Sequence, residues 1–232
     1  MVKCGRPRKG EELLSRDRLL DTAISLFLEY GYGKLSLETI ARDARVSMRT
    51  IYSQFGGKAG LFGAVIRRCS DQFVTSLSDG QALESSPEEA LICFAKRFLY
   101  SITRPDVVRI RGILIGESLR FPDLATQFYE QGPQRTLDHL AQFFARQQQA
   151  GYFIEVDPHF LADQFLSALR SERFQKLQLG LEPTPDEAEI DAWVRQTIAL
   201  FLQGSLKKPS GMAAFNLSRD DKKQHKDERK TP

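Results

Sequence analysis

Hydrophobic residues recur with the period of an α-helix along almost the whole chain. The first clear stripe consists of Leu19, Leu20, Ala23, Ile24, Phe27 and Leu28. No segment shows the alternation of apolar and polar residues that a half-buried strand requires. The pattern therefore predicts an all-α fold of about nine helices joined by short loops.

Capping signals mark where these helices begin. Ser36 and Ser47 precede two short predicted helices, about 37–44 and 48–55, where a hydroxyl accepts a hydrogen bond from a backbone N–H. Ser86-Pro87-Glu88-Glu89 and Thr184-Pro185-Asp186-Glu187 are predicted capping boxes, and Asp157-Pro158 is a further start. The longer predicted helices span about 58–77, 87–103, 105–119, 122–149 (bent near Gly132-Pro133), 158–179 and 185–203.

The net charge of +3 conceals an asymmetry along the chain. Basic residues outnumber acidic ones in residues 1–60 and again after 203, whereas the residues between them are acidic overall. Basic ends favour a polyanionic partner, because each phosphate contact releases counterions. Solvated surfaces carry similar excesses, so charge alone does not decide the partner.

Three observations favour a cytoplasmic protein that does not contact a membrane. No apolar run approaches the roughly 18 residues that cross a bilayer. The first ten residues lack the apolar core of a secretory signal. Cys4, Cys69 and Cys93 have no C-x-x-C spacing, which indicates reduced thiols.

The two short predicted helices have the residue pattern of a helix-turn-helix. Small and aliphatic residues must bury the first helix against the second, and an apolar residue must close the turn. Leu37, Ile40 and Ala41 meet the first need, and Val46 meets the second. On the second helix, Ile51 and Phe55 are predicted to face inward.

The segment from Leu19 to Val65 resembles the DNA-binding domain of the TetR family of regulators. The matching residues are Ala23, Phe27, Gly31, Leu37, Ile40, Ala41, Val46, Ser47, Thr50, Tyr52, Phe55, Lys58 and Leu61. The last four follow the Tyr-x-x-Phe-x-x-Lys-x-x-Leu signature of the family. One residue departs from the pattern, because Arg45 stands in the turn where the family commonly has glycine, and it adds a possible phosphate contact.

The resemblance implies that the second helix enters the major groove of double-stranded DNA. We expect Tyr52 and Lys58 to contact phosphates, and Arg49 to contact a guanine. The full predicted DNA-binding set is Arg6, Arg8, Ser36, Arg45, Ser47, Met48, Arg49, Thr50, Tyr52, Ser53 and Lys58. Arg6 and Arg8 belong to a Gly-Arg-Pro arm that resembles an AT-hook, and a flexible basic leader is the alternative interpretation.

Residues 113–124 (ILIGESLRFPDL) and 151–158 (GYFIEVDP) resemble the AefR-like branch of TetR C-terminal domains. This resemblance implies a domain that senses a small molecule and dimerises. The predicted ligand-binding residues are Phe94, Phe98, Leu114, Glu117, Phe121, Phe128 and Phe165. Core packing is the alternative role for each phenylalanine, and an ion pair with Arg111 or Arg120 is the alternative for Glu117.

Two stripes near the end of the second domain predict a four-helix dimer interface. Its predicted residues are Leu161, Gln164, Ala168, Ile190, Trp193, Thr197 and Phe201. A two-fold homodimer presents two recognition helices to successive major grooves, which implies a palindromic operator.

The chain therefore divides into four predicted parts. Residues 1–14 form a flexible basic arm, 15–62 the helix-turn-helix domain, 63–204 the effector-binding and dimerisation domain, and 205–232 a charged tail. The tail lacks apolar periodicity, so we expect it to be disordered. Whether the arm and the tail contact DNA stays open.

These features predict a repressor that a small, largely apolar effector releases from DNA. The alternative is an effector-independent architectural or scaffolding DNA-binding protein. We expect no enzyme activity, cofactor or metal, because His139, His159 and His225 lack ligand or catalytic spacings, and no phosphate-binding glycine motif is present.

Deletion of residues 1–10 tests the predicted basic arm. If the arm lies in the minor groove, the truncated protein binds duplex DNA more weakly, and its affinity depends less steeply on salt. Fluorescence anisotropy at several salt concentrations measures both quantities. Equal affinity and equal salt slope would show that the arm is only a leader.

Overall fold

The computed structural model describes residues 9–77 and 86–207. Its helices are α1 Lys9–Tyr30, α2 Leu37–Asp43, α3 Met48–Phe55, α4 Lys58–Val74, α5 Pro87–Ile102, α6 Pro105–Glu117, α7 Pro122–Tyr129, α8 Arg135–Gln149, α9 Pro158–Leu169, α10 Glu172–Gln178 and α11 Glu187–Ser205. The only β-type pairing in these residues is an isolated bridge between Phe153 and Leu206. The predicted all-α fold is confirmed.

Most of the predicted helix starts are confirmed by their hydrogen bonds. Ser86 and Glu89 form a reciprocal capping box at the start of α5, and Asp157 accepts from the N–H of His159 at the start of α9. The capping box predicted at Thr184 was wrong. Asp186 caps α11 instead, and its side chain accepts a hydrogen bond from the N–H of Glu189. The Glu189 carboxylate accepts in turn from the N–H of Asp186, so a capping box forms two residues further along the chain than predicted.

Two long predicted helices are interrupted. A π-helical turn at Glu130–Gln134 separates α7 from α8, at the site where Pro133 removes a backbone donor. The predicted helix 158–179 ends at Leu169, because Arg170 leaves the helical region with φ −89° and ψ 49°. These breaks account for a larger number of helices in the described residues than the sequence predicts.

The ends of the chain differ in part from the predicted divisions. Helix α1 begins at Lys9, so the second half of the predicted arm, residues 9–14, is helical. Arg6 and Arg8, and the predicted tail from residue 208 onward, lie outside the described residues.

Two hydrophobic cores hold the described residues together. The first is formed by α1–α4 with Ile110, Leu114 and Leu124 from α6 and α7. The second is formed by the end of α4 and helices α5, α8, α9, α10 and α11. Its centre is a group of edge-to-face rings in which Phe144 contacts Phe153 and Phe165.

Helix α4 belongs to both cores. Leu61 and Val65 in its first half are fully buried in the first core, and Phe73 and Val74 at its end are buried in the second. A helix shared in this way couples the packing of the two cores, because packed interiors leave little empty space.

Among the helices of the described ranges, none combines the length and the apolarity that crossing a bilayer requires.

Replacement of Phe144 by alanine tests the second core. The side chain is fully buried against several rings, so Phe144→Ala should lower the free energy of unfolding by about 3–5 kcal/mol. Urea denaturation measures the change. The matched control is Leu179→Ala, whose side chain is 74% exposed and whose loss should cost less than about 0.5 kcal/mol; similar costs for both variants would contradict the assignment.

Candidate functional site

The turn between α2 and α3 is built around a left-handed residue. Arg45 has φ +56° and is the one non-glycine residue with positive φ among those described. Its N–H donates to the carbonyl of Arg42 at 3.1 Å, and the N–H of Val46 donates to Ala41 at 2.9 Å. Arginine therefore adopts the conformation expected of glycine at this position, at a cost of about 1 kcal/mol.

Serine hydroxyls fix the starts of both short helices. Ser36 accepts from the N–H of Thr39 at 3.2 Å, and Ser47 accepts from the N–H of Thr50 at 3.0 Å. The hydroxyls of Ser47 and Thr50 also lie 2.8 Å apart. Both caps orient the first turn of a helix, and the remaining N–H groups at such an end attract anions.

Helix α3 carries five of the eleven predicted DNA-binding residues. Arg49, Tyr52 and Ser53 are exposed, whereas Met48 and Thr50 are half-buried. The opposite side of the helix is fixed by the fully buried Ile51. A polar helix surface that carries one arginine matches the side chains that read base edges and phosphates in a major groove.

The sequence prediction omitted two exposed polar residues near this surface. Gln54 lies on α3 beside Ser53, and Lys34 lies in the loop before α2. The sequence places Gln54 after the cap of α3 and Lys34 before α2. No motif distinguishes either residue from an ordinary solvated one.

Lys58 is placed differently from the prediction. Its ammonium donates to the backbone carbonyls of Tyr32 at 2.7 Å and Leu35 at 2.8 Å, and it lies 4.3 Å from the centre of the Tyr32 ring. Burial lowers the pKa of Lys58, and the charge of Glu117 partly opposes that shift. The side chain ties the loop after α1 to the start of α4 and so is not available for a phosphate in this structure.

Glu117 also connects parts of the chain rather than facing a cavity. Its carboxylate accepts a hydrogen bond from the N–H of Gly33, and the Phe121 ring packs edge-on against Tyr32 with 5.2 Å between centres. The end of α6 therefore contacts the loop between α1 and α2. The expectation that Glu117 and Phe121 line a ligand cavity was wrong, as was its alternative of an arginine partner for Glu117.

A cavity of about 100 Å³ lies between the two cores. It is lined by α4 with Val65, Ile66 and Cys69, by α5 with Phe98, and by α7 with Phe128. Phe98 and Phe128 were predicted to bind ligand. Leu114 is buried in the first core, and Phe94 and Phe165 are fully buried in the second, so these three side chains pack in cores and do not line this cavity.

The predicted dimer residues fall on two sides of their helices. Leu161, Ile190 and Trp193 are buried in the second core of their own chain, which contradicts their assignment to an interface. Gln164 and Ala168 are exposed, and Thr197 and Phe201 are half-buried. The sequence stripes mixed inward and outward positions, because apolar residues occupy both sides of α9 and α11.

No group of three or more histidine, cysteine, aspartate or glutamate residues positioned to hold a metal ion occurs in residues 9–77 and 86–207.

Sequence models of two protein families match this chain. The model described as "Bacterial regulatory proteins, tetR family" matches residues 19–65. The model described as "AefR-like transcriptional repressor, C-terminal domain" matches residues 89–204. The two matches cover the helix-turn-helix and all of the second core except Phe73, Val74 and Leu77, which lie at and just after the end of α4.

Known proteins with similar sequence and structure agree with this result. The chain is 38% identical over 73 residues to the HTH-type transcriptional repressor ComR of Escherichia coli, a match that covers 31% of this chain and 35% of ComR. It thus spans only about a third of this curated relative.

The structure of the flavonoid-responsive regulator FrrA is 32% identical, with a TM-score of 0.64, and the match covers 84% of this chain and 99% of FrrA. A TetR-family structure from Mesorhizobium loti has a TM-score of 0.70 at 22% identity and covers 87% of this chain and 100% of its own.

Replacement of Arg45 by glycine separates backbone strain from DNA contact. Arg45→Gly should raise the free energy of unfolding by about 1 kcal/mol, because glycine adopts positive φ without strain. If the guanidinium contacts a phosphate, the same variant binds DNA more weakly and with a shallower salt dependence. Arg45→Lys is the control that keeps the charge. Undiminished affinity of Arg45→Gly would remove Arg45 from the DNA-binding set.

Proposed function

Because the chain belongs to the TetR family of bacterial transcriptional regulators, we propose that it is a cytoplasmic repressor that binds a palindromic operator as a homodimer. In this proposal, a small, largely apolar effector releases the repressor from its operator. The observation that carries this proposal is the cavity, whose lining includes residues of both α4 and α5.

The outer surface of α3 supplies the DNA contacts. Arg49 extends from the first turn toward base edges, and Tyr52, which is 56% exposed, places its hydroxyl toward a phosphate. Arg45 and the capped starts of α2 and α3 add contacts to the backbone of the duplex. In this proposal Lys58 holds the loop after α1 and acts on DNA only through the position of that loop.

Homodimerisation uses the outward side of α9 and α11. Phe160 is 57% exposed and Leu200 is 74% exposed, although both are large apolar residues. Gln164 and Ala168 on α9, and Ala192 on α11, are exposed beside them. The small side chains of Ala168 and Ala192 allow close approach of helices, so four helices from two chains bury this surface together.

Release follows from the position of the cavity. An effector that binds more tightly to a widened cavity shifts the protein toward the conformation that contains it. Widening displaces Val65 and Ile66 on α4, and α4 carries α3 through the first core. The spacing of the two recognition helices in the dimer then no longer matches successive major grooves.

The aromatic lining of the cavity supports an aromatic or aliphatic effector. Phe73, Phe98, Phe128 and Phe174 all contribute to the lining. The name of FrrA describes that relative as flavonoid-responsive, which agrees with a phenylalanine-lined site that accepts planar molecules.

Selection of bound duplexes from a random pool, followed by release assays, tests the proposal. We expect the selected sequences to be palindromes with half-site centres about one helical turn apart. A small apolar compound should then lower operator affinity in fluorescence anisotropy. Binding without a preferred sequence, or sequence-specific binding that no compound changes, would favour the architectural alternative.

Replacement of Leu200 by glutamate tests the dimer. A charge at the centre of an apolar interface is costly to bury, so Leu200→Glu should be monomeric at micromolar concentration and bind a palindrome no more tightly than a half-site. Light scattering and anisotropy measure these effects. Leu179→Glu, at an equally exposed leucine outside α9 and α11, should stay dimeric; a dimeric Leu200→Glu variant would contradict the assigned interface.

A further inference from the structure

Two arginines line the apolar cavity without an acidic partner. Arg111 on α6 and Arg170 at the end of α9 both contribute to its wall, and neither forms an ion pair within the described residues. None of the described lining residues is acidic. Cations in an apolar wall are costly unless an anion compensates them.

The surroundings of Arg111 leave its charge poorly compensated. Its Nε is buried and has no hydrogen-bond partner, and its guanidinium lies 5.9 Å from the Phe128 ring centre and 5.8 Å from that of Phe174. Burial lowers the pKa of Arg111, and the nearby charge of Arg170 lowers it further. Ring faces stabilise a cation in part, but they do not satisfy its N–H groups.

Arg170 has a local role in addition. Its Nε donates to the carbonyl of Leu166 at 3.2 Å in the last turn of α9, where a positive charge also favours the helix dipole. Burial lowers the pKa of Arg170, while the charges of Asp163 and Tyr129 oppose that shift. Arg111 is therefore the better position at which to test ligand binding, because no backbone hydrogen bond of this kind holds its side chain in place.

We propose that the effector is an organic carboxylate, whose apolar body occupies the phenylalanine-lined cavity and whose carboxylate binds Arg111 and Arg170. This inference rests on the proposed release by a small molecule and names its chemical class. A carboxylate accepts paired hydrogen bonds from a guanidinium, and it neutralises the repulsion between the two cations. A neutral apolar compound of the same shape supplies neither effect.

The size of the cavity links this ligand to the movement of α4. A volume of about 100 Å³ is below the roughly 300 Å³ of common ligand pockets, so binding requires a wider form. Gly132 and Pro133 of the π-helical turn line the cavity where this turn packs directly against Ile66 of α4. Because π-turns interrupt regular helix packing, this segment and α4 are the parts of the wall that separate.

Calorimetry with paired probes tests the charge requirement. The probes are octanoate with octanamide and cinnamate with cinnamamide, each titrated into the full chain at neutral pH. At least one carboxylate should bind at least about tenfold more tightly than its amide. Arg111→Met should remove most of that preference, whereas Arg146→Met, at an exposed arginine of α8 that does not line the cavity, should keep it.

Three results would overturn the inference: no carboxylate binds, amides bind as tightly as their acids, or Arg111→Met keeps the preference. If the amides release the protein from its operator as well as the acids do, the proposed function stands. Only the requirement for a carboxylate is then wrong. A ligand-free wild-type chain that binds no operator would instead contradict the proposed function.

Thermal denaturation of the ligand-free variants separates a binding role from a structural one. Methionine removes an uncompensated charge and retains much of the volume, so Arg111→Met should have a melting temperature equal to or above that of the wild type. Arg146→Met sets the scale for loss of an exposed arginine. A clearly lower melting temperature for Arg111→Met alone would show that Arg111 holds the fold, and the inference would fail.

Discussion

The sharing of α4 between two hydrophobic cores is the constraint on which the rest of this structure depends. Leu61 and Val65 fix one half of the helix against α1 and α3, and Phe73 and Val74 fix its end in the second core. The cavity lies where these cores meet, and α4 contributes Val65, Ile66 and Cys69 to its wall. A regulator needs such an element, because an effector acts on DNA affinity only through a conformation that both sites influence.

In the proposed mechanism, contacts of the loop between α1 and α2 carry the displacement of α4 toward the DNA-binding surface. The carboxylate of Glu117, at the end of α6, holds the N–H of Gly33, and the ammonium of Lys58 holds two carbonyls of the same loop. Arg111 lies on α6 less than two turns before Glu117. In the proposed mechanism, a ligand at Arg111 acts on the helix that contacts the loop before α2, in addition to acting on α4.

Local residue patterns predicted the DNA-binding part well, and they predicted long-range contacts poorly. Ser36, Ser47 and the Arg45 turn act within a few residues, so sequence spacing was sufficient to place them. Glu117 and Lys58 contact a loop far away in the chain, which spacing does not encode. For Phe94, Phe165, Ile190 and Trp193, periodicity identified apolar positions but not whether a core, a cavity or a partner chain covers them. No sequence pattern marked Arg111 and Arg170 as ligand-binding residues, because only the fold brings them together in the wall of the cavity.

The most direct test of the account is the distance between the two recognition helices. Spin labels on Ser25→Cys report that distance in the dimer by double electron–electron resonance, in a chain whose Cys4 and Cys93 are serine and Cys69 is alanine. Ser25 is an exposed residue of α1 outside the predicted DNA-binding set, and α1 packs in the same core as α3. The account predicts one narrow distribution on operator DNA and a shift of several ångströms when a releasing ligand saturates the protein. An unchanged distribution, measured while operator affinity falls, would contradict transmission through α4.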